Sequence, residues 1–217
     1  MTRRETAPLA QNRLSLEEGR MLIQLARLAI TRYLETNQII KPPQDAPERL
    51  FRKSGVFVTL NVTKPANELR GCIGFPYPEQ PLVEAAIKAA IYAATEDPRF
   101  PPVSSGEMKL SIVVELTALT EPQVLKVHDR KSLPELIQIG RHGLIVASGG
   151  NSGLLLPQVA TEWKWDSTEF LVNCCLKAGL PPDSWLLDGV DVKVFEGEIF
   201  EEVEPAGEVR RKIVGGT

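Results

Sequence analysis

The hydrophobic period of this chain first changes, abruptly, between residues 35 and 56, and that change restricts the fold more than any other feature. From Met21 to Leu34 the apolar residues Met21, Leu22, Leu25, Leu28, Ala29 and Leu34 recur at helical spacing, which gives one buried stripe on an amphipathic helix. Ser15 with Glu18 forms the capping box that opens it, and Lys41-Pro42-Pro43 excludes its continuation. Val56 to Val62 is then β-branched and aromatic, as is the short run around Cys72, so these read as neighbouring strands, joined through turn residues in Thr63 to Glu68. A second helix is expected from about Pro81 to Thr95, its stripe of Leu82, Val83, Ala86, Ile87, Ala90, Ile91 and Ala94 small enough for close approach to a sheet. A strand is expected over Lys109 to Leu119, with Leu110, Ile112 and Val114 on one face, and a short capped helix at Ser132 and Glu135. Gly143 to Ala147 and Gly153 to Leu156 read as paired strands around a Ser148–Ser152 turn. Asp166 and Glu169 cap a last helix that ends at Gly179 and Pro181, and a final strand runs from about Val192 to Phe200. Strands interrupted by helices, with no regular βαβ alternation, give an α+β fold.

Composition narrows the function classes. At 217 residues the chain has room for one large domain or two subdomains, and it needs no disulfide for stability. With 43% hydrophobic and 24% charged residues it is neither low-complexity nor coiled coil. Its net charge of −3 gives no global basic field to recruit nucleic acid or an anionic membrane; Arg49, Arg52, Lys53 and Arg70 are either a local basic patch or scattered surface charges. Three cysteines, two of them adjacent and none in C-x-x-C spacing, fit neither a disulfide framework nor the usual zinc and thioredoxin patterns. Met1-Thr2-Arg3-Arg4-Glu5 is followed by no apolar run, which argues against a signal peptide, and no stretch approaches the roughly 20 apolar residues of a membrane span. The expectation is a soluble protein of a reducing cytoplasm, with polar flexible tails at 1–13 and 204–217.

Three segments concentrate residues able to do chemistry. In Leu69-Arg70-Gly71-Cys72-Ile73-Gly74 a cysteine stands between two glycines, residues that let a ligand or a second strand come close. Cys72 is thus either a nucleophile with backbone N–H groups around Gly71 to Gly74 as an oxyanion site, or a small hydrophobe filling a tight strand. In Gly140-Arg141-His142-Gly143, His142 is a general base or a structural hydrogen-bonder. In Asp97-Pro98-Arg99-Phe100-Pro101-Pro102, Asp97 either orients a histidine or locks Arg99, and Arg99 suits a carboxylate or phosphate. Cys72, His142 and Asp97 are therefore the catalytic candidates, and Arg70, Gly71, Gly74, Arg99, Phe100 and Arg141 the substrate-binding ones. Cys174 and Cys175 lie on an apolar helical stripe and read as core; Trp163, Trp165 and Trp185 read as packing anchors. A metal site would have to combine Cys72, His142 and distant carboxylates, which no spacing supports, and no cofactor is expected.

Taken together and in order, these segments resemble the AMMECR-domain family, named for the AMME syndrome candidate gene product. The resemblance is carried by Leu69–Gly74, Asp97-Pro98-Arg99-Phe100-Pro101, Ile139-Gly140-Arg141-His142-Gly143-Leu144, Leu155-Leu156-Pro157-Gln158-Val159-Ala160, Lys177-Ala178-Gly179-Leu180 and Trp185. It implies a domain over 14–203: α+β, of two unequal subdomains, mainly antiparallel sheet with packed helices, and a cleft near the Leu-Arg-Gly-Cys-Ile-Gly segment. The family is likened to a fold of nucleotide-, nucleic-acid- and peptide-binding proteins, and prokaryotic relatives occur beside Memo-like and radical-SAM proteins. Its molecular activity is unassigned, and fold analogy cannot supply one. Two functions fit the residues. In a cysteine-dependent enzyme, Cys72 accepts an acyl or similar group, His142 moves the proton, Asp97 orients it and Arg99 holds an anionic group. In a binding or adaptor module for a peptide, nucleotide or nucleic acid, the same motifs only shape the site.

Overall fold

The computed structural model describes residues 13–63 and 68–212. In chain order the elements are α1 (Leu16–Thr36), β1 (Val56–Val62), β2 (Glu68–Phe75), α2 (Leu82–Thr95), α3 (Ser105–Leu110), β3 (Ile112–Leu119), β4 (Gln123–Val124), β5 (His142–Ser148), β6 (Asn151–Leu155), α4 (Pro157–Glu162), α5 (Ser167–Lys177), β7 (Asp191–Glu202) and β8 (Val209–Lys212). The fold is α+β, and the β1–β2, β1–β3, β4–β7, β5–β6, β5–β7 and β7–β8 pairings are antiparallel. The chain divides into two compact units of unequal size. The first takes the residues up to Thr120 together with Glu198–Lys212, and the second takes Glu121–Gly197.

In the first unit, α1 opens on the expected capping box, Ser15 and Glu18 each bonding the other's backbone, and ends at Asn37 in the left-handed region. Its buried face is Leu22, Ile23, Leu25, Ala26, Ala29 and Ile30, while Leu28 of the expected stripe points to solvent. β1 lies between β2 and β3. Val56, Val58 and Leu60 are buried and Phe57, Thr59 and Asn61 half-buried, so one sheet face carries the core, to which α1 and α2 contribute Leu22, Ile23, Ala86 and Ala90. The other face carries Phe57 and Thr59 of β1, with Cys72 and Gly74 opposite them on β2 and Glu115 and Thr117 opposite them on β3.

Two expectations are corrected here. The strand expected from Lys109 begins at Ile112, because Ser104 and Glu107 form a second capping box and hold Ser105–Leu110 as α3, leaving Leu110 80% exposed. Within the expected C-terminal tail, Val209–Lys212 form β8, paired to β7 from Ile199↔Lys212 to Glu202↔Val209. Arg211 donates to Glu198 Oε1 at 2.6 Å and to the carbonyl of Leu14, whose N–H donates to Glu198 Oε2 at 2.8 Å. Residues 1–12 and 213–217, the rest of the expected tail ends, lie outside the described residues, as do 64–67 of the expected turn after β1.

In the second unit, β5 pairs with β6 and with β7, and β4 with β7. The β5–β6 connection contracts to two residues, Gly149 and Gly150, both at positive φ (56° and 87°), the two-glycine hairpin turn that matches strand twist. The short helix expected at Ser132 and Glu135 is a 3-10 helix, Arg130–Leu136, with Asp129 rather than Ser132 as its N-cap. Asp166 caps α5, which packs Phe170, Leu171, Cys174 and Cys175 into a core with Leu144, Val146, Val192 and Trp185.

Candidate functional site

The cysteine motif and the Asp-Pro-Arg-Phe loop meet within the first unit. β2 brings Cys72 opposite Thr59, and the Thr59 hydroxyl donates to Cys72 Sγ at 3.2 Å. The backbone N–H of Cys72 donates to Asp97 Oδ2 at 2.8 Å. Asp97 Oδ2 also accepts from Arg99 Nη2 at 2.7 Å, and Oδ1 accepts from Arg99 Nε at 2.9 Å and from the Arg99 backbone N–H at 3.1 Å. Arg99 Nη2 reaches the Cys72 carbonyl at 3.4 Å, and its guanidinium lies 5.4 Å from the centroid of the Phe100 ring. Cys72, Asp97, Arg99 and Phe100 thus form one cluster.

Its electrostatics follow from these contacts. The Arg99 hydrogen bonds hold the Asp97 carboxyl far below the usual carboxylate range, against its desolvation, with the N–H of Cys72 helping. The same pairing raises Arg99. Burial pushes the Cys72 thiol above its ordinary range. The Thr59 hydrogen bond and the Arg99 charge oppose that rise, while the Asp97 and Glu115 charges add to it. Desolvation wins, so Cys72 is a thiol at neutral pH. Asp97 is 4% exposed and accepts four hydrogen bonds, which fills the capacity of a carboxylate. It cannot also orient a histidine, and its place is that of an anchor: it ties the loop after α2 to β2 and fixes the Arg99 fork.

The glycines serve the fold more than a ligand. A Cβ on Gly71 would stand 2.0 Å from the carbonyl oxygen of Ala93, and one on Gly74 2.3 Å from the Phe57 ring and 2.6 Å from the Val56 carbonyl oxygen. Gly71 therefore lets the backbone of α2 lie against β2, a close approach of a helix where a ligand or a second strand was expected. Arg70 is likewise occupied: Nε donates to Glu107 Oε1 at 3.1 Å and Nη1 to the Pro101 carbonyl at 2.8 Å. Its side chain is 13% exposed. It fastens β2 to α3, so it does not reach toward a substrate.

Arg141 and His142 belong to the second unit. The N–H of Gln138 donates to His142 Nδ1 at 3.2 Å while the N–H of His142 donates to the Gln138 carbonyl at 2.9 Å, which leaves the ring proton of the neutral imidazole on Nε2. Burial lowers the His142 pKa; Glu196 opposes that and Arg141 adds to it. Arg141 donates from Nε to Glu196 Oε1 at 2.8 Å and from Nη1 to Gln138 Oε1 at 3.1 Å. The flanking glycines again have backbone reasons: Gly140 sits at φ 80°, and a Cβ on Gly143 would meet the Phe195 ring at 2.3 Å. Cys174, pushed up to about 12 by burial, and Cys175 are core thiols. Trp185 is buried, but Trp163 is 68% exposed and stacks on Trp165.

Thr59, Glu107 and Glu196 complete these clusters and were not singled out in the sequence. Thr59 alternates with Val58 and Leu60, so its face was legible, but only the register Thr59↔Cys72 makes it a neighbour of the thiol. Among the described residues no three His, Cys, Asp or Glu side chains converge as metal ligands, and no helix is long and apolar enough to cross a membrane.

The comparisons with known proteins agree on one family, whose model, AMMECR1, matches residues 23–200. The chain belongs to the AMMECR1 family. It is 54% identical over 202 residues to Protein PF1979 of Pyrococcus furiosus, covering 92% of this chain and 95% of that one. It is 54% identical over 202 residues to Protein MK0488 of Methanopyrus kandleri, covering 92% and 96%. The crystal structure of the uncharacterized protein PH0010 from Pyrococcus horikoshii superposes with a TM-score of 0.75 at 54% identity, over 90% of this chain and 97% of that one. The expected family and fold class are therefore established. No activity comes with the family, so function has to be argued from the site.

Proposed function

We infer that this AMMECR1-family chain is a binding module, and that its recognition surface is the Cys72–Arg99 cluster on β2, which takes a ligand through an anionic group. The observation that carries the reading is the state of Arg99. Its Nε and Nη2 are fixed on a buried, saturated carboxylate, Nη1 has no partner among the described residues, and its side chain is 53% exposed. A guanidinium held rigidly on one edge and presented on the other loses little rotamer freedom when it binds a carboxylate or phosphate. Phe100 under the guanidinium helps to hold its plane. Cys72 beside it supplies a compact, neutral lining group.

The cysteine-enzyme reading draws less support. It needs a thiolate and an acid able to orient a base, whereas burial drives Cys72 toward the thiol and Asp97 spends both oxygens on Arg99 and the Cys72 N–H. Alkylation of Cys72 followed against pH separates the two. A binding module gives an apparent pKa at or above the ordinary value of about 8.5, unmoved by His142→Ala. An apparent pKa near or below 7, raised by that substitution, would overturn it. The anion site itself is tested by titrating the protein with acetate and with inorganic phosphate. The Arg99 Nε resonance should shift saturably, and in Arg99→Gln the Cys72 amide should no longer respond to either anion.

A further inference from the structure

β2 ends the strand order of its sheet, with β1 as its paired neighbour. At Cys72, both backbone groups are taken by side chains on the side away from β1: the N–H by Asp97 Oδ2 and the C=O by Arg99 Nη2. Thr59↔Cys72 is therefore a non-hydrogen-bonded pair. The same phase follows from the far side of β1, where the N–H of Val114, opposite Leu60, donates to Glu202 Oε2. Pairing of this kind repeats every second residue, so Gly74, opposite Phe57, also turns its N–H and C=O to the outer edge. There they have no hydrogen-bond partner among the described residues. The Asp97–Arg99 pair thus imitates a neighbouring strand at Cys72, and the edge is open one step further along.

We propose that this edge receives the C-terminal end of an extended peptide, added antiparallel to β2 through two hydrogen bonds at Gly74, with its terminal carboxylate on Arg99. The inference rests on the anion-binding reading above and names the ligand. Charge sets the direction. An antiparallel peptide running past Gly74 has its chain end at Cys72, two residues or about 7 Å further on at about 3.4 Å per residue, where the exposed guanidinium meets a carboxylate. A parallel peptide would bring its terminal ammonium to the same guanidinium. Strand addition supplies affinity through main-chain bonds, and the terminal charge fixes the register. The peptide residue opposite Gly74 shares a face with Phe57, whose ring fills the space where a Gly74 Cβ would stand, so an apolar side chain is favoured there.

The test uses the full-length chain, 15N-labelled, and two randomised pentapeptide pools, one with free C-terminal carboxylates and one amidated. The free-acid pool should shift the Gly74 amide and Arg99 Nε together and slow hydrogen exchange at Gly74 by at least about tenfold, while the amidated pool binds at least about tenfold more weakly, as loss of a charge-assisted bond predicts. Equal binding of the two pools overturns the proposal. So does an unchanged Gly74 exchange rate when Arg99 is saturated, a result that leaves the anion-binding reading standing. Gly74 protection that rises with protein concentration in the absence of peptide also overturns it, by making a second copy of the chain the occupant. If neither acetate, phosphate nor the acid pool moves Arg99, the anion-binding reading falls with it.

Discussion

Asp97 is the residue whose identity has the widest consequences. It is buried, it is ionised, and its four hydrogen bonds run to Cys72, 25 residues away, and to Arg99, two residues away. Asp97→Asn keeps the shape but replaces charge-assisted bonds by neutral ones and turns one acceptor into a donor facing other donors. The expected cost is about 1–3 kcal/mol at pH 7, measured by urea unfolding. The pH dependence has a definite sign. The folded-state pKa of Asp97 is depressed, so its contribution is fully present above the unfolded value of about 3.9 and is lost progressively as pH falls from there through the much lower folded value. The gap between wild type and Asp97→Asn should therefore narrow at pH 3. His142 acts in the same direction at higher pH. Burial lowers its folded pKa, so the unfolded chain takes up the proton first, and stability declines as pH drops below about 6.5. Protonation would also put a proton on Nδ1, opposite the Gln138 N–H that now donates to it. His142→Gln should flatten the stability profile between pH 7 and pH 5.

At the scale of elements, the contact that positions the site is α2 on β2. Two backbones meet there, Ala93 on the helix and Gly71 on the strand, and a Cβ at Gly71 would lie 2.0 Å from a carbonyl oxygen. Since neither backbone can rotate away as a side chain could, Gly71→Ala should cost about 1–3 kcal/mol, the usual range for an overpacked core, and should be read as a drop in Tm. The loop that carries Asp97 and Arg99 leaves the C-terminal end of α2, so a shift of the helix also moves Arg99. The same variant should weaken acetate binding at Arg99, whereas a cavity-forming change in the second unit, Leu171→Ala, should destabilise without touching it. The edge of β2 belongs to this scale too. Exposed edge strands are usually guarded by charge, and here the guard is an Asp–Arg pair that bonds the backbone at Cys72 and leaves Gly74 open.

At the scale of the molecule, the first unit is discontinuous in the chain. Its later piece, Glu198–Lys212, supplies core and charge to the earlier one: Phe200 and Val209 are buried in the cluster with Leu22 and Ile112, and Glu202 accepts Arg27 Nε and Nη2, each at 2.5 Å, while Glu198 holds the Leu14 N–H. A chain cut after Thr120 should therefore lose native structure. It would leave Arg27, 13% exposed, without its carboxylate, and would open the Phe200 site to water. The measurement is amide-proton dispersion, which should collapse in the fragment and be present in the full chain.

Much of this was legible in the residues themselves. Periodicity and capping determined α1, α2 and α5 and the central strands, because a 3.6- or 2-residue repeat and an S-x-x-E or D-x-x-E box are local signals that tertiary contacts had no reason to override here. The β5–β6 hairpin was legible for the same reason, two glycines being what its turn demands. The motifs that marked the family also marked Cys72, Asp97 and Arg99, though in company with His142, which belongs to the second unit. The sequence alone left open what those residues do for one another, because that depends on contacts between segments far apart in the chain. Only the folded chain shows that Gly71 admits a helix backbone, that Arg70 is spent on Glu107 and that Asp97 is saturated. The short elements α3, β4 and β8 were missed or misread because few of their residues are periodic, and what holds β8 is pairing with β7 and the bonds of Arg211. Register is a long-range property set by packing, and it was register that put Thr59 beside the thiol and turned Gly74 outward at the edge.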